Sequence, residues 1–247
     1  MQTKQQWFLD FLGQPDTQFT IPVYQRMYSW LESQCEELWE DIVHCGRAQV
    51  SHFISMTLYS DAGVTDGGVH RLDIIDGQQR IASTTILLTA LRDYLRETGE
   101  TMKACSLPNQ ADDDDFGALD AQVLHERFLV VRNGEADEAK AQLIGPDKAT
   151  LSALVLGGDM PVVVSTRVKE NYDYFFKRMH DDDFDLQVFW RGVRELLAIA
   201  AKVDENDKAQ TIFEGLNTKG IPLTAADLMR NYLLVAETRE EQQRLYG

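Results

Sequence analysis

The spacing of hydrophobic and polar positions changes period several times in the first hundred residues. Lys4–Leu12 reads as a short helix leading into an extended segment that ends Phe19-Thr20-Ile21-Pro22. Ser29-Trp30-Leu31-Glu32 has the S-x-x-E form of a capping box, and Leu31, Cys35, Leu38, Trp39 and Ile42 follow at helical spacing, predicting a helix to about Cys45. Two strands are expected at His52–Tyr59 and Val69–Ile75, separated by the turn-rich stretch from Ser60 to Gly68. The second strand runs straight into Asp76-Gly77-Gln78-Gln79-Arg80. After it Ile81, Thr85, Leu88, Leu91 and Leu95 mark one face of a helix ending near Gly99. Alternation of this kind argues for a small α/β unit.

The pattern breaks between about Met102 and Gly117, where Pro108, Asn109 and the run Asp112–Asp115 read as a solvated loop. We therefore expect an α+β protein with a mixed α/β domain over residues 1–105 and a mainly helical domain over 106–247. Helices are predicted at Lys148–Leu156, Ser165–Met179 and Leu186–Ala201, the end of the last being open to a strand reading. Two more follow at Asp204–Thr218 and Ala225–Thr238, the second opened by the cap Thr224-Ala-Ala-Asp227.

Composition narrows the function classes. The 247 residues carry a net charge of −16 with 44% hydrophobic positions, the profile of a globular protein. Both halves hold more acid than base, so nonspecific nucleic-acid binding is excluded and any DNA contact must be local and selective. Cys35, Cys45 and Cys105 cannot all pair and show no metal spacing, which suggests a reducing compartment. With no secretory signal and no apolar run of about 18 residues, a cytoplasmic protein without membrane contact is expected. His44, His52, His70, His125 and His180 form no His-x-x-x-His or His-Asn-His arrangement, so no metallonuclease site is read.

Three segments carry candidate chemistry. In the first, Gly77 permits a tight turn, the N–H groups of the following helix are free, and Arg80 adds a fork of donors: a cradle for phosphate. Asp76 suits a hydrated Mg²⁺, and the Gln78 and Gln79 amides suit phosphate oxygens or a nucleophilic water. The competing reading makes Asp76 an N-cap and Arg80 a surface ion-pair partner. The second segment, Tyr24-Gln25-Arg26-Met27-Tyr28-Ser29-Trp30, crowds planar and guanidinium groups into a loop before a helix, as suits a base or a modified base. Its alternative is a stapled helix entry with Trp30 in the core. In the third, Asn217 and Gly220 look like a helix stop and Thr224 with Asp227 like the next cap.

Taken in this order, Ile21-Pro-x-Tyr-Gln-Arg-x-Tyr-Ser-Trp30, Ile75-Asp-Gly-Gln-Gln-Arg80 and Phe213-Glu-x-Leu-Asn-x-x-Gly220 with Leu223-Thr-x-x-Asp-Leu228 resemble the N-terminal domain family of GmrSD-type modification-dependent restriction systems, which includes SspE-type relatives. The resemblance spans Phe19 to Leu234. It implies a ParB/sulfiredoxin-like fold whose Asp-Gly-Gln-Gln-Arg turn binds and hydrolyses a nucleoside triphosphate (GTP, UTP or ATP) with Mg²⁺, and which senses modified phage DNA to license a C-terminal His-Asn-His nuclease domain. Carried over, Asp76, Gln79 and Arg80 become catalytic, with Asp76 also the Mg²⁺ ligand. Gly77, Gln78, Ser83, Arg26 and Asn217 bind the nucleotide, and Tyr24, Gln25 and Tyr28 sense DNA. Where relatives have Leu-Thr-Thr after the arginine, this chain has Ile81-Ala82-Ser83. The nuclease half is not in this sequence, so a sensor fragment of a two-domain effector is expected, with a stand-alone domain as the alternative; a homodimer also stays open.

Two functions of different class follow: a Mg²⁺-dependent nucleoside triphosphatase regulating antiphage restriction, or a module that binds modified DNA or a partner and holds a nucleotide without turnover.

Overall fold

The computed structural model describes residues 2–102 and 119–203. Cys105, the Asp112–Asp115 run, Asn217, Gly220, Asp227 and both helices expected after residue 203 lie outside the described residues.

The fold is α+β. A six-stranded mixed sheet runs in the order β1 (Gln2–Trp7), β8 (Leu196–Val203), β3 (His52–Val64), β4 (His70–Asp76), β2 (Thr17–Thr20), β7 (Ala141–Gln142). β8 pairs antiparallel with β1 and parallel with β3, β4 pairs antiparallel with β3 and parallel with β2, and β2 runs parallel to β7. A separate hairpin joins β5 (Val130–Asn133) to β6 (Ala136–Ala139).

Strands from both sides of the expected boundary at 105/106 share this one sheet, so residues 1–105 do not close it by themselves. One helical expectation is corrected and another resolves to its strand alternative. Gln2–Trp7 is a strand and only Phe8–Leu12 (α1) is helical, because the polar run Thr-Lys-Gln-Gln offers no apolar helix face while β8 offers a ladder of hydrogen bonds. Leu186–Arg194 (α7) stops at Glu195, and the alternation from Leu196 to Val203 becomes a central strand. β3 also runs on through the stretch expected to be a turn, as far as Val64.

The apolar alternation along the strands builds two clusters. Phe19, Leu72, Ile74, Ala198 and Ala200 join Phe8, Phe11 and the helices in the main core, while Leu58, Ile75, Ala201 and Val203 form a smaller one. The main core is packed by α2 (Glu32–Ala48), α3 (Gln78–Thr98), α6 (Thr166–Arg178) and α7. α3 is buried around nearly its whole circumference, including Thr85 and Thr89, whose hydroxyls donate to carbonyls one turn back. Arg92 is 1% exposed and closes the C-terminal end of α5 (Gly145–Leu156) by donating to the Leu154 and Val155 carbonyls. At the crossing of α2 with α7, a Cβ on Gly46 would stand 1.9 Å from the Val188 carbonyl oxygen, and one on Gly192 would stand 1.8 Å from that of Ile42. Glycine is what lets these two backbones touch.

Candidate functional site

β4 ends at Asp76 and α3 begins at Gln78, leaving Gly77 as the one-residue hinge between sheet and helix. Its φ of 93° favours glycine, and a Cβ there would crowd Thr57 Oγ1 at 3.0 Å. Asp76 does not cap the helix as a side-chain N-cap. Its Oδ1 accepts the Gly77 N–H at 2.8 Å, and the first turn of α3 has neither a side-chain cap nor an acidic residue. The N–H groups of the first turn are thus left without a side-chain cap, the Asp76 carboxylate being engaged one position earlier, at Gly77. Burial raises the Asp76 pKa above the ordinary carboxylate value, opposed by the Gly77 N–H, Arg80 and Arg26. Both guanidiniums therefore act on one carboxylate, one from the loop and one from the first turn of α3.

The two loop-and-turn motifs meet physically. Ile21, Arg26, Tyr28, Gln78, Gln79, Ala82, Leu143, Ile144 and Asp147 line a single cleft of about 10 Å³. That is room for one water, so a nucleotide would lie over the mouth with only a phosphate oxygen reaching in.

Within the cleft the amides divide their work. Gln79 Oε1 accepts the Ser29 N–H at 2.9 Å and its Nε2 donates to the Met27 carbonyl, so this side chain holds the loop. Gln78 is 8% exposed, and its Oε1 is buried without a hydrogen-bond partner. Gln25, 1% exposed, donates from Nε2 to the Ile75 carbonyl and likewise leaves Oε1 unpartnered. Two orphaned acceptors beside the turn mark a place that lacks a donor.

Tyr28, at the wall of the cleft, and Ser83 behind it belong to a buried network. The Tyr28 phenol is 2.6 Å from Ser83 Oγ and accepts from Asn171 Nδ2 at 2.8 Å; burial pushes its pKa far up. Ser83 is fully buried. Tyr24 and Arg26 stay partly exposed, and Arg80 is exposed. Ser29, expected as the cap of α2, instead binds Gln79, while Leu31 takes the N-cap position and donates its N–H to Gln34 Oε1 at 2.7 Å.

Sequence reasoning missed Asp147 and Asn171. Asp147, 4% exposed in the first turn of α5, accepts the Tyr28 N–H at 2.7 Å and the Ser165 hydroxyl. An acid just after Gly145-Pro146 looks like an ordinary helix start, and nothing local shows that its partner lies on a loop more than a hundred residues earlier. Asn171 joins the Tyr28 phenol to the Trp30 carbonyl.

As a ligand set, an uncapped helix start with two arginines fits phosphate. Among the described residues no three His, Cys, Asp or Glu side chains cluster as a metal site; a magnesium ion at this turn would take Asp76 together with waters and phosphate oxygens.

The family model described as GmrSD restriction endonuclease, N-terminal domain, matches residues 8–234. No curated protein matches the chain.

Proposed function

We propose, for a chain that belongs to the family of GmrSD restriction endonuclease N-terminal domains, that the Asp76–Arg80 turn binds and hydrolyses a nucleoside triphosphate and so regulates DNA restriction. Membership itself gives the chain a role in a restriction system. The observation that supports the finer reading is the convergence of Arg26 and Arg80 on Asp76 at the uncapped start of α3.

In this reading the free N–H groups of the first turn and the two guanidiniums receive the phosphates, and Gly77 lets the strand turn into the helix close against Met56 and Thr57 of β3. A bound Mg²⁺ would neutralise charge on the phosphate oxygens, with Asp76 holding it. Gln78, whose carbonyl oxygen is unspent, orients a water or a ligand donor, whereas Gln79 fixes the loop that carries Arg26. Of the three residues expected to sense DNA, Tyr24 keeps exposed surface, while Gln25 and Tyr28 act from beneath it. Modified phage DNA and a C-terminal nuclease domain remain the proposed partners.

A second reading has its own support: both oxygens of Asp147 already accept hydrogen bonds, leaving no unengaged carboxylate among the described residues that line the cleft to act as a base. That favours nucleotide or phosphate binding without turnover.

Phosphate release with each nucleoside triphosphate and Mg²⁺ separates the two. We expect turnover that falls on the order of a hundredfold in both Asp76→Ala and Arg80→Ala. Turnover that survives Arg80→Ala would remove the assigned site. Absent turnover with nucleotide-dependent thermal stabilisation would establish the binding module.

A further inference from the structure

The loop that carries Arg26 runs from β2 to α2 with neither helix nor strand to fix its backbone. Side chains from elsewhere hold it instead. On one side of Arg26, Gln25 donates to the Ile75 carbonyl. On the other, Gln79 of α3 donates to the Met27 carbonyl and accepts the Ser29 N–H, Asn171 of α6 donates to the Trp30 carbonyl, and Asp147 of α5 accepts the Tyr28 N–H between them.

Asp147 is the odd member of this set. It lines the same cleft as Arg26, Gln78 and Gln79, and it is 4% exposed. A carboxylate in that wall repels phosphate, so its charge works against the ligand the cleft is proposed to take. Its place in the first turn of α5 offsets part of that charge. What Asp147 contributes is geometry. Its Oδ2 is 2.7 Å from the Tyr28 nitrogen, and its Oδ1 accepts the Ser165 hydroxyl at 2.5 Å. Ser165 is fixed in turn, as the N-cap of α6 and by donating its N–H to Thr150 Oγ1 at 2.8 Å, one turn further along α5. The carboxylate therefore cannot swing away from the loop without breaking a buried hydrogen bond.

We propose that Asp147 is a positioning residue of the phosphate site, setting through the Tyr28 backbone where Arg26 stands. This rests on the phosphate reading of the Asp76–Arg80 turn and adds to that site a residue from the far half of the chain. Tyr28 follows Arg26 by two positions, so losing the bond to its N–H frees the loop beside the guanidinium. Arg80 is carried by α3 itself and does not depend on the loop.

Isothermal titration with the non-hydrolysable β,γ-imido analogues of GTP, UTP and ATP with Mg²⁺ tests this, using Arg26→Ala and Arg80→Ala as backgrounds. We expect Asp147→Ala to weaken binding of the tightest analogue about tenfold. Asp147→Asn keeps an acceptor for the Tyr28 N–H and sheds the opposing charge, so it should bind within about threefold of the wild type or more tightly. The loss caused by Asp147→Ala should shrink below about twofold in the Arg26→Ala background and persist in the Arg80→Ala background, because residues that act through one another are not additive. A residue that only supports the fold costs the same in both backgrounds. That result, Asp147→Ala binding as tightly as the wild type, or Asp147→Asn binding no better than Asp147→Ala would each overturn the proposal. Should Asp147→Ala fail to fold, the cycle is run with Ser165→Ala, which releases the carboxylate and should lose about threefold through Arg26 alone; equal losses in both backgrounds, or none, overturn it there too. No binding by the wild-type chain would remove the phosphate reading itself, and this assignment with it.

Discussion

Tyr28 illustrates how far a residue's use can depart from its sequence context. In a loop dense with polar and aromatic groups it looks like a contact residue, yet its phenol closes a buried network with Ser83 and Asn171 while its backbone N–H is held by Asp147. Tyr28→Phe should therefore lower stability by about 1–3 kcal/mol in urea unfolding while leaving nucleotide affinity within a few-fold. Lys140 is the opposite case, a charged residue hidden at 3% exposure, whose ammonium donates to the Leu12, Gln14 and Arg127 carbonyls. Burial lowers its pKa from 10.5 to about 8. The unfolded chain thus binds the proton more tightly than the folded one, so the contribution of this amine to stability rises with pH between about 8 and 10.5 and levels off below. Burial pushes the Cys35 and Cys45 thiols up, which works the other way in the same window, so the readout is the part of the pH dependence that Lys140→Met removes, on the order of 1–2 kcal/mol by about pH 9.5. A profile unchanged by Lys140→Met would contradict the burial of this amine.

At the scale of elements, two close approaches set the geometry. Gly192→Ala would drive a Cβ into the Ile42 carbonyl at the crossing of α2 and α7, and should cost about 3 kcal/mol or more, read as a large fall in Tm. Gly77→Ala should cost about 1–2 kcal/mol from its left-handed backbone and, by shifting Asp76 against Arg26 and Arg80, weaken phosphate binding more than it weakens the fold. The same scale explains what the sequence revealed. The 3.6-residue period along Ile81, Thr85, Leu88, Leu91 and Leu95 identifies α3 because its partners lie on every side, and the turn before it identifies the candidate site because glycine and charge occur together in sequence. β1 differs: a polar run with no strong local preference, it becomes a strand only through β8, nearly two hundred positions away, whereas the alternation along β8 left its strand reading open in the sequence. Asp147 is hidden by sequence separation too, its partner Tyr28 lying 119 positions earlier. Its role exists only once α5 packs against the loop at Tyr28.

For the molecule as a whole, a charge of −16 opposes any polyanion that approaches without a specific contact. Unmodified duplex should bind weakly at low salt and be released by about 150 mM in a gel-shift series. Retention of plain duplex at that salt would mean that a basic surface forms despite the overall balance.

The central place of β8 also carries a temporal meaning. Asp76, Arg80 and Asp147 are all translated before Leu196, but the strand between β1 and β3 is among the last described residues to leave the ribosome. A nascent chain halted at residue 195 holds both candidate motifs and α5 without the strand that joins β1 to the rest of the sheet. Protease protection should therefore appear abruptly once Val203 emerges, so that the candidate site matures late and all at once.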